Sequence, residues 1–291
     1  MLTRKEFHSR IANGLHFLDG ATGSNLRSAG MPLGCCIEQW CLQNPEKVMS
    51  LQRRYAEAGS QIIYAPTFQA QPAALKTVGL DNQTEAINAK LVAMSRQAAP
   101  GALIAGNITT LAVYLDSYDE ALFDILVDNY RRQIKGLMDG GADLLAAETL
   151  LYPQDAEAIL TAAELEGAGA VTYTFTMQPD GSLFSGMDAI GVLQELEQAG
   201  AAAVGFNCVV ADEFIPALVA KMRRRLKGPI VCKPNAGVPT ILEGGIAEYP
   251  MTPEEFAQIQ VSCAAMGASL LGGCCGTAPE YIRAMVEKLD G

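Results

Sequence analysis

The sequence predicts an α/β chain folded as a single (β/α)8 TIM barrel spanning residues 1–291. Three observations carry this. Eight short apolar, β-rich runs alternate with stretches of helical periodicity, over a length ordinary for that fold. The first run is followed by Asp19-Gly20-Ala21-Thr22-Gly23-Ser24, not by the G-x-G-x-x-G of a dinucleotide-binding open sheet. Polar residues gather at the C-terminal ends of the runs, where barrels build their sites. No linker, low-complexity tract or shift of composition marks a second domain.

Strands are expected at 16–19, 62–68, 103–108, 144–149, 171–177, 202–208, 230–235 and 269–274. Each is short, apolar and bounded by turn formers. Helices are expected at 45–58, 84–99, 118–139, 154–166, 189–198, 212–226 and 253–266, with a last one at 279–289. Asp81 or Asn82 precedes the second helix, Asp212 opens the sixth, and Thr252-Pro253-Glu254-Glu255 starts the seventh with a capping pattern. Gly59, Gly140, Gly200 and Gly267 stand where helices must stop before the next strand.

Hydrophobic residues make up 49% of the chain and charged ones 18%, enough apolar surface for one large core. The balance of 21 basic and 32 acidic residues leaves a formal charge of −11, which argues against nucleic acid or an anionic membrane as a main partner. The basic cluster of Lys221, Arg223, Arg224, Arg225 and Lys227 falls late in a helix, where cations complement the carbonyl end of the dipole. Residues 1–14 lack the apolar segment of an export signal, and no run is long enough to cross a bilayer. Eight cysteines without such a signal suit a reducing compartment, so the chain is expected in the cytoplasm. His8 and His16 are the only histidines, so metal or acid–base chemistry has to rest on other groups.

The strand ends carry Asp19, Thr67, Asn107, Glu148, Thr176, Asn207 with Cys208, Asn235, and Cys274 with Cys275. Three thiols, Cys208, Cys274 and Cys275, thereby converge on one mouth from strands six and eight. Three soft ligands suit a zinc ion with its fourth position open, although buried cysteines are also common as small hydrophobes. Cys35, Cys36, Cys41, Cys232 and Cys263 show no such convergence, and Cys35 and Cys36, in a loop after the first strand unit, read as free thiols. Glu148 ends an apolar strand, so its carboxylate needs either a cationic ligand or an internal network. Asp19 reads as an Asx turn or as an amine-binding carboxylate beside exposed backbone N–H groups. Asn235, in Lys-Pro-Asn-Ala-Gly, either holds its turn or contacts a ligand.

These motifs resemble the homocysteine S-methyltransferase family, most closely the homocysteine-binding module of cobalamin-dependent methionine synthase. The resemblance runs nearly end to end. It rests on Leu18-Asp19-Gly20-Ala21-Thr22-Gly23-Ser24, Gly141-Ala142-Asp143 leading to Glu148-Thr149, Gly205-Phe206-Asn207-Cys208, Pro234-Asn235-Ala236-Gly237, and Gly272-Gly273-Cys274-Cys275-Gly276-Thr277-Ala278-Pro279-Glu280. The resemblance implies that Cys208, Cys274 and Cys275 bind zinc, and that the substrate sulfur takes the fourth position. It further implies that Glu148 and the Asp19-Gly20-Ala21 turn hold the amino acid part of homocysteine, with Asn207 and Asn235 as further candidate contacts.

Two mouth segments depart from the family pattern. Ala65-Pro66-Thr67-Phe68, preceded by Tyr64, replaces the usual Thr-Asn-Thr-Phe, and Asn107-Ile108-Thr109-Thr110 replaces an acidic or serine residue followed by Ile/Val-Gly-Pro. The chain has no Asp-x-His-x-x-Gly cobalamin motif and no folate-binding barrel. A methyl-corrinoid donor is therefore expected on a separate corrinoid-binding protein, whereas S-methylmethionine would let the barrel act alone. Methyl transfer to another thiol, or a non-catalytic zinc- or thiol-binding partner subunit, are the remaining alternatives.

Overall fold

The computed structural model describes residues 1–111, 122–242 and 247–290. Its barrel strands are β1 (His16–Phe17), β2 (Ile62–Tyr64), β3 (Leu103–Ile108), β4 (Leu144–Leu150), β5 (Val171–Phe175), β6 (Ala203–Val210), β7 (Ile230–Asn235) and β8 (Leu270–Leu271). They form one parallel sheet in the order β1-β8-β7-β6-β5-β4-β3-β2. A parallel bridge between Leu18 and Ile62 joins β1 to β2 and closes the ring. This is the predicted (β/α)8 barrel.

The short first and last strands understate their pairing. Leu18 N donates to Leu271 O at 2.7 Å, Gly272 N to Cys232 O at 3.0 Å and Cys274 N to Pro234 O at 2.8 Å, so the expected ends near 19 and 274 are reached. The second strand stops at Tyr64 and does not run to 68. Pro66 has no N–H to continue the ladder, and Thr67 N turns back to Ala65 O at 2.8 Å.

Alternation sorts the strand residues into two packed layers. Leu18, Ile62, Ala105, Leu144, Ala146, Ala203, Val231 and Leu270 fill the barrel interior. Their neighbours in sequence, including Phe17, Ile63, Ile104, Leu145, Val204 and Cys232, pack outward under the helices. The interior is floored by an element absent from the expectations, a helix at Arg4–Arg10. Thr3 and Glu6 form a reciprocal capping box at its start, and Phe7 and Ile11 pack among the interior residues.

The helix over Ala189–Gln198 has its expected bounds, and Thr252 and Glu255 make the expected capping box for Pro253–Ala265. The helix expected at 212–226 shrinks to Ile215–Arg223. Asp212 Oδ1 accepts from Phe214 N at 2.9 Å, a turn preceding the helix. The helix expected at 118–139 is described as Phe123–Asp139; residues 118–121 lie outside the described residues. Gly140 has an ordinary helical φ of −75°, and it is Gly141, at +83°, that reverses the chain. The basic cluster is held locally: Arg223 donates to the carbonyls of Leu226 and Gly228, and Arg225 pairs with Asp188. Among the described residues no helix is long and apolar enough to cross a membrane.

Candidate functional site

Two irregularities in the sheet build the site. The β4–β5 register shifts between Ala147 and Leu150, and the β6–β7 register shifts between Asn207 and Val210. Within these bulges Thr149 and Cys208 both take φ +57°, a left-handed conformation unusual for either residue and especially for a β-branched one. Asn207 is fully buried and bonds across both. Its Oδ1 accepts from Thr149 N at 2.7 Å and from Thr174 Oγ1 at 2.8 Å, and its Nδ2 donates to Thr149 Oγ1 at 2.7 Å.

The Cys274-Cys275 turn is held as tightly. A Cβ on Gly272 would lie 2.7 Å from Leu18 Cβ, and one on Gly273 would lie 2.3 Å from Thr277 Oγ1, so close backbone packing requires both glycines. Asn235 Oδ1 accepts from Cys275 N at 3.0 Å, and Ala236 N donates to Cys275 O at 2.9 Å. Asn235 therefore aligns the turn that carries the thiol.

The sulfurs of Cys208, Cys274 and Cys275 lie within 4.8 Å of one another, the one cluster of metal-ligating groups among the described residues. Tetrahedral zinc thiolates, with bonds of about 2.3 Å, place sulfurs about 3.8 Å apart. The Cys208 and Cys275 sulfurs are 3.9 Å apart, so the donor set fits one small soft ion. Hydrogen bonds among the three sulfurs lower the pKa of Cys275 and raise that of Cys208.

Beside the sulfurs lies a cavity of about 220 Å³, lined among others by Asp19, Gly20, Ala21, Tyr64, Glu148 and Lys233. That is below the range of about 300–1,000 Å³ found for drug-sized ligands, so the space suits a small substrate. Glu148 accepts from Asn107 Nδ2 at 2.8 Å, and burial raises its pKa against the opposing charge of Lys233. Asp19 is buried, accepts from Tyr64 N at 2.8 Å, and is pushed up to about 6 chiefly by burial. Asn107 Oδ1 is buried without a partner. The Ala21 backbone is engaged, its N–H to Thr277 Oγ1 at 3.2 Å and its carbonyl by Tyr55 Oη at 2.8 Å.

The structure thus brings Asp19, Gly20, Ala21, Glu148, Cys208, Cys274 and Cys275 around one cavity. Asn207 and Asn235 do not line it: Asn207 bonds to Thr149 and Thr174 and donates to the Cys274 sulfur at 3.7 Å, and Asn235 holds the backbone of the cysteine turn. Thr67 and Thr176 bond to the carbonyls of Asn107 and Cys208, at 2.9 and 3.3 Å. Cys36 donates to Glu38 away from the cluster, Cys41 is buried, and Cys232 and Cys263 pack under the helices.

Sequence reasoning passed over Lys233. Its Nζ sits 3.3 Å from Asp19 Oδ1, 3.4 Å from Glu148 Oε2 and 3.5 Å from the centre of the Tyr64 ring, with the side chain 4% exposed. The sign was present in the sequence. A lone lysine in the strand Ile230–Asn235 poses the same question that Glu148 poses in its own strand. Tyr249, whose pKa is raised chiefly by burial, also approaches Cys275 and was not foreseen.

Barrel and site together define a (β/α)8 protein with a three-thiol centre at the C-terminal mouth. The sequence model of the family described as homocysteine S-methyltransferase matches residues 16–289, and the chain belongs to that family. It is 27% identical over 284 residues to a methionine synthase of Mycobacterium tuberculosis and 26% identical over 289 residues to that of Mycobacterium leprae. Those matches take in 91% of this chain but 24% and 23% of the relatives, so the chain spans about a quarter of their length. The metallated form of the homocysteine methyltransferase MmuM from Escherichia coli superposes with a TM-score of 0.83 at 26% identity, covering 97% of this chain and 99% of that one. Its oxidised form gives 0.79 at 27%, covering 94% and 96%. A methyltransferase from Methanosarcina mazei, at 13% identity and a TM-score of 0.65, shares the fold.

Proposed function

We propose that this barrel transfers a methyl group to the sulfur of homocysteine, giving methionine, at a zinc ion held by Cys208, Cys274 and Cys275. The observation that carries this reading is the convergence of three thiols beside a small cavity containing Glu148 and Asp19. When bound, zinc supplies a Lewis acid that keeps an incoming thiol in its deprotonated, nucleophilic form. Asn207 and Asn235 hold the bulge and the turn that aim the cysteines. Glu148 offers an acceptor to an α-amino group. Free thiols at the centre suit a reducing cytoplasm.

The donor we favour is a methyl-corrinoid carried by a separate protein. Support comes from the exposed apolar side chains of Phe184, Phe214 and Val238, which line a second cavity that shares Cys208. Such a rim suits a macromolecular partner. A small sulfonium donor, S-methylmethionine, is the second reading, favoured by the full-length likeness to MmuM. Zinc-loaded protein is incubated with homocysteine and either methylcobalamin or S-methylmethionine, and methionine is quantified by mass spectrometry. Production with one donor identifies it; no product from either, with no binding of homocysteine, sinks the proposal.

A further inference from the structure

The two carboxylates at the cavity already have a counter-cation. Lys233 stands between Asp19 and Glu148 at 3.3 and 3.4 Å, with its ammonium over the Tyr64 ring at 3.5 Å. Two of those contacts are charge-assisted hydrogen bonds and the third is a cation–π contact. β7 places Lys233 on the same inward face as Val231, and β4 places Glu148 inward above Ala146, so the pairing follows from barrel alternation.

Resting on the proposed thiol methylation, we infer that Lys233 acts as a resident substitute for the substrate's α-ammonium, so that the site accepts thiols lacking an α-amino group. The physical ground is the source of selectivity in polar pockets. A pocket rejects an analogue strongly when that analogue leaves buried polar groups unpaired. Without a resident cation, an amine-free thiol would strand two buried carboxylates. With Lys233 in place both stay paired whichever thiol enters, and the penalty vanishes. The α-amine of homocysteine gains only the remaining acceptor capacity of Glu148. The lysine remains charged, because the carboxylates beside it outweigh its burial and raise its pKa.

The test is calorimetric binding of homocysteine and of 4-mercaptobutanoate, its analogue without the amine, to zinc-loaded protein with no methyl donor present. The two Kd values are expected to agree within about tenfold, where an amine-requiring pocket would separate them by about a hundredfold or more. Lys233→Met, measured near pH 8, is expected to open that hundredfold gap in favour of homocysteine, and Lys233→Arg to keep the gap closed. If Lys233→Met does not fold, the wild-type pair and Lys233→Arg still decide. A hundredfold preference for homocysteine in the wild-type protein overturns this inference and leaves the methylation reading standing. Failure of both thiols to bind overturns both.

Discussion

Asn207 and Thr149 bond to each other reciprocally across β5: the amide oxygen of Asn207 accepts from Thr149 N, and its amide nitrogen donates to Thr149 Oγ1, each at 2.7 Å. This clasp holds the two bulges whose residues Thr149 and Cys208 share a left-handed backbone. One asparagine therefore fixes the position of Glu148 on one side and of a thiol on the other.

Removing it should damage stability and metal affinity together. Asn207→Ala strands buried donors on Thr149 and Thr174, which is expected to lower the unfolding free energy by about 2 to 4 kcal/mol. Loss of such a supporting residue is expected to weaken zinc about 10- to 100-fold. Urea titration and zinc competition with a chromophoric chelator read the two effects. Unchanged zinc affinity in a folded variant would contradict the positioning role.

Replacing Cys208, Cys274 or Cys275 by Ala should abolish stoichiometric zinc, because each leaves only two thiolates. Cys35→Ala and Cys36→Ala should retain it, since neither joins the cluster. Metal content by plasma emission separates the cases. Zinc retained in all three cluster variants would refute the ligand set.

Gly273→Ala introduces a Cβ 2.3 Å from Thr277 Oγ1, which itself donates to Cys274 O at 2.7 Å. The expected loss is about 1 to 3 kcal/mol, with weaker zinc binding because Cys274 must shift. A thermal melt with the same chelator assay checks it. Native-like values for both would show that the turn can relax.

The pH dependence of stability should carry the signature of Asp19. Burial outweighs the Lys233 charge and the Tyr64 N–H, lifting its pKa from 3.8 to about 6. A carboxyl whose folded value exceeds its unfolded one holds its proton more tightly in the native state. Its contribution is therefore full below about pH 3.8 and is lost as pH rises to about 6. The unfolding free energy of the wild-type protein relative to Asp19→Asn should fall by about 3 kcal/mol over that window and stay level above about pH 7. Paired urea titrations measure the difference. A rise with pH would mean that the lysine, not burial, governs Asp19.

Phe184 and Phe214 are 69% and 58% exposed beside the Cys208 rim. Changing both to Glu should slow methyl transfer from a protein-bound donor by about tenfold or more while leaving homocysteine binding intact. Kinetics against calorimetry separate these outcomes. Equal losses in both would move the rim into the thiol site itself.

The chain's own order carried much of this structure. Eight apolar runs of strand length with helices between them implied the barrel, because alternating β and α units close in few ways. The convergence of Cys208, Cys274 and Cys275 was legible because all three fall at strand ends that meet at one mouth, and Cys274 and Cys275 form a vicinal pair between glycines. Thr3-x-x-Glu6 held a legible capping box that marks the basal helix, yet its polar surroundings obscured Phe7 and Ile11 as an interior floor. Asn207 and Asn235 were visible as polar strand ends, but their bonds to Thr149 and Cys275 depend on chain segments 58 and 40 residues away.

The sequence by itself determined the strand–helix alternation, the mouth that gathers the polar ends, and the thiol donors. Those are matters of local propensity and of the chemistry of single residue types. Only the tertiary structure decided that Lys233 lies between Asp19 and Glu148, and that bulges at Thr149 and Cys208 set the site's geometry. Ion pairing inside a closed barrel depends on which residues share one inward layer and on where register slips. Both are properties of the assembled sheet, where burial makes every unpaired charge costly enough to dictate its neighbour.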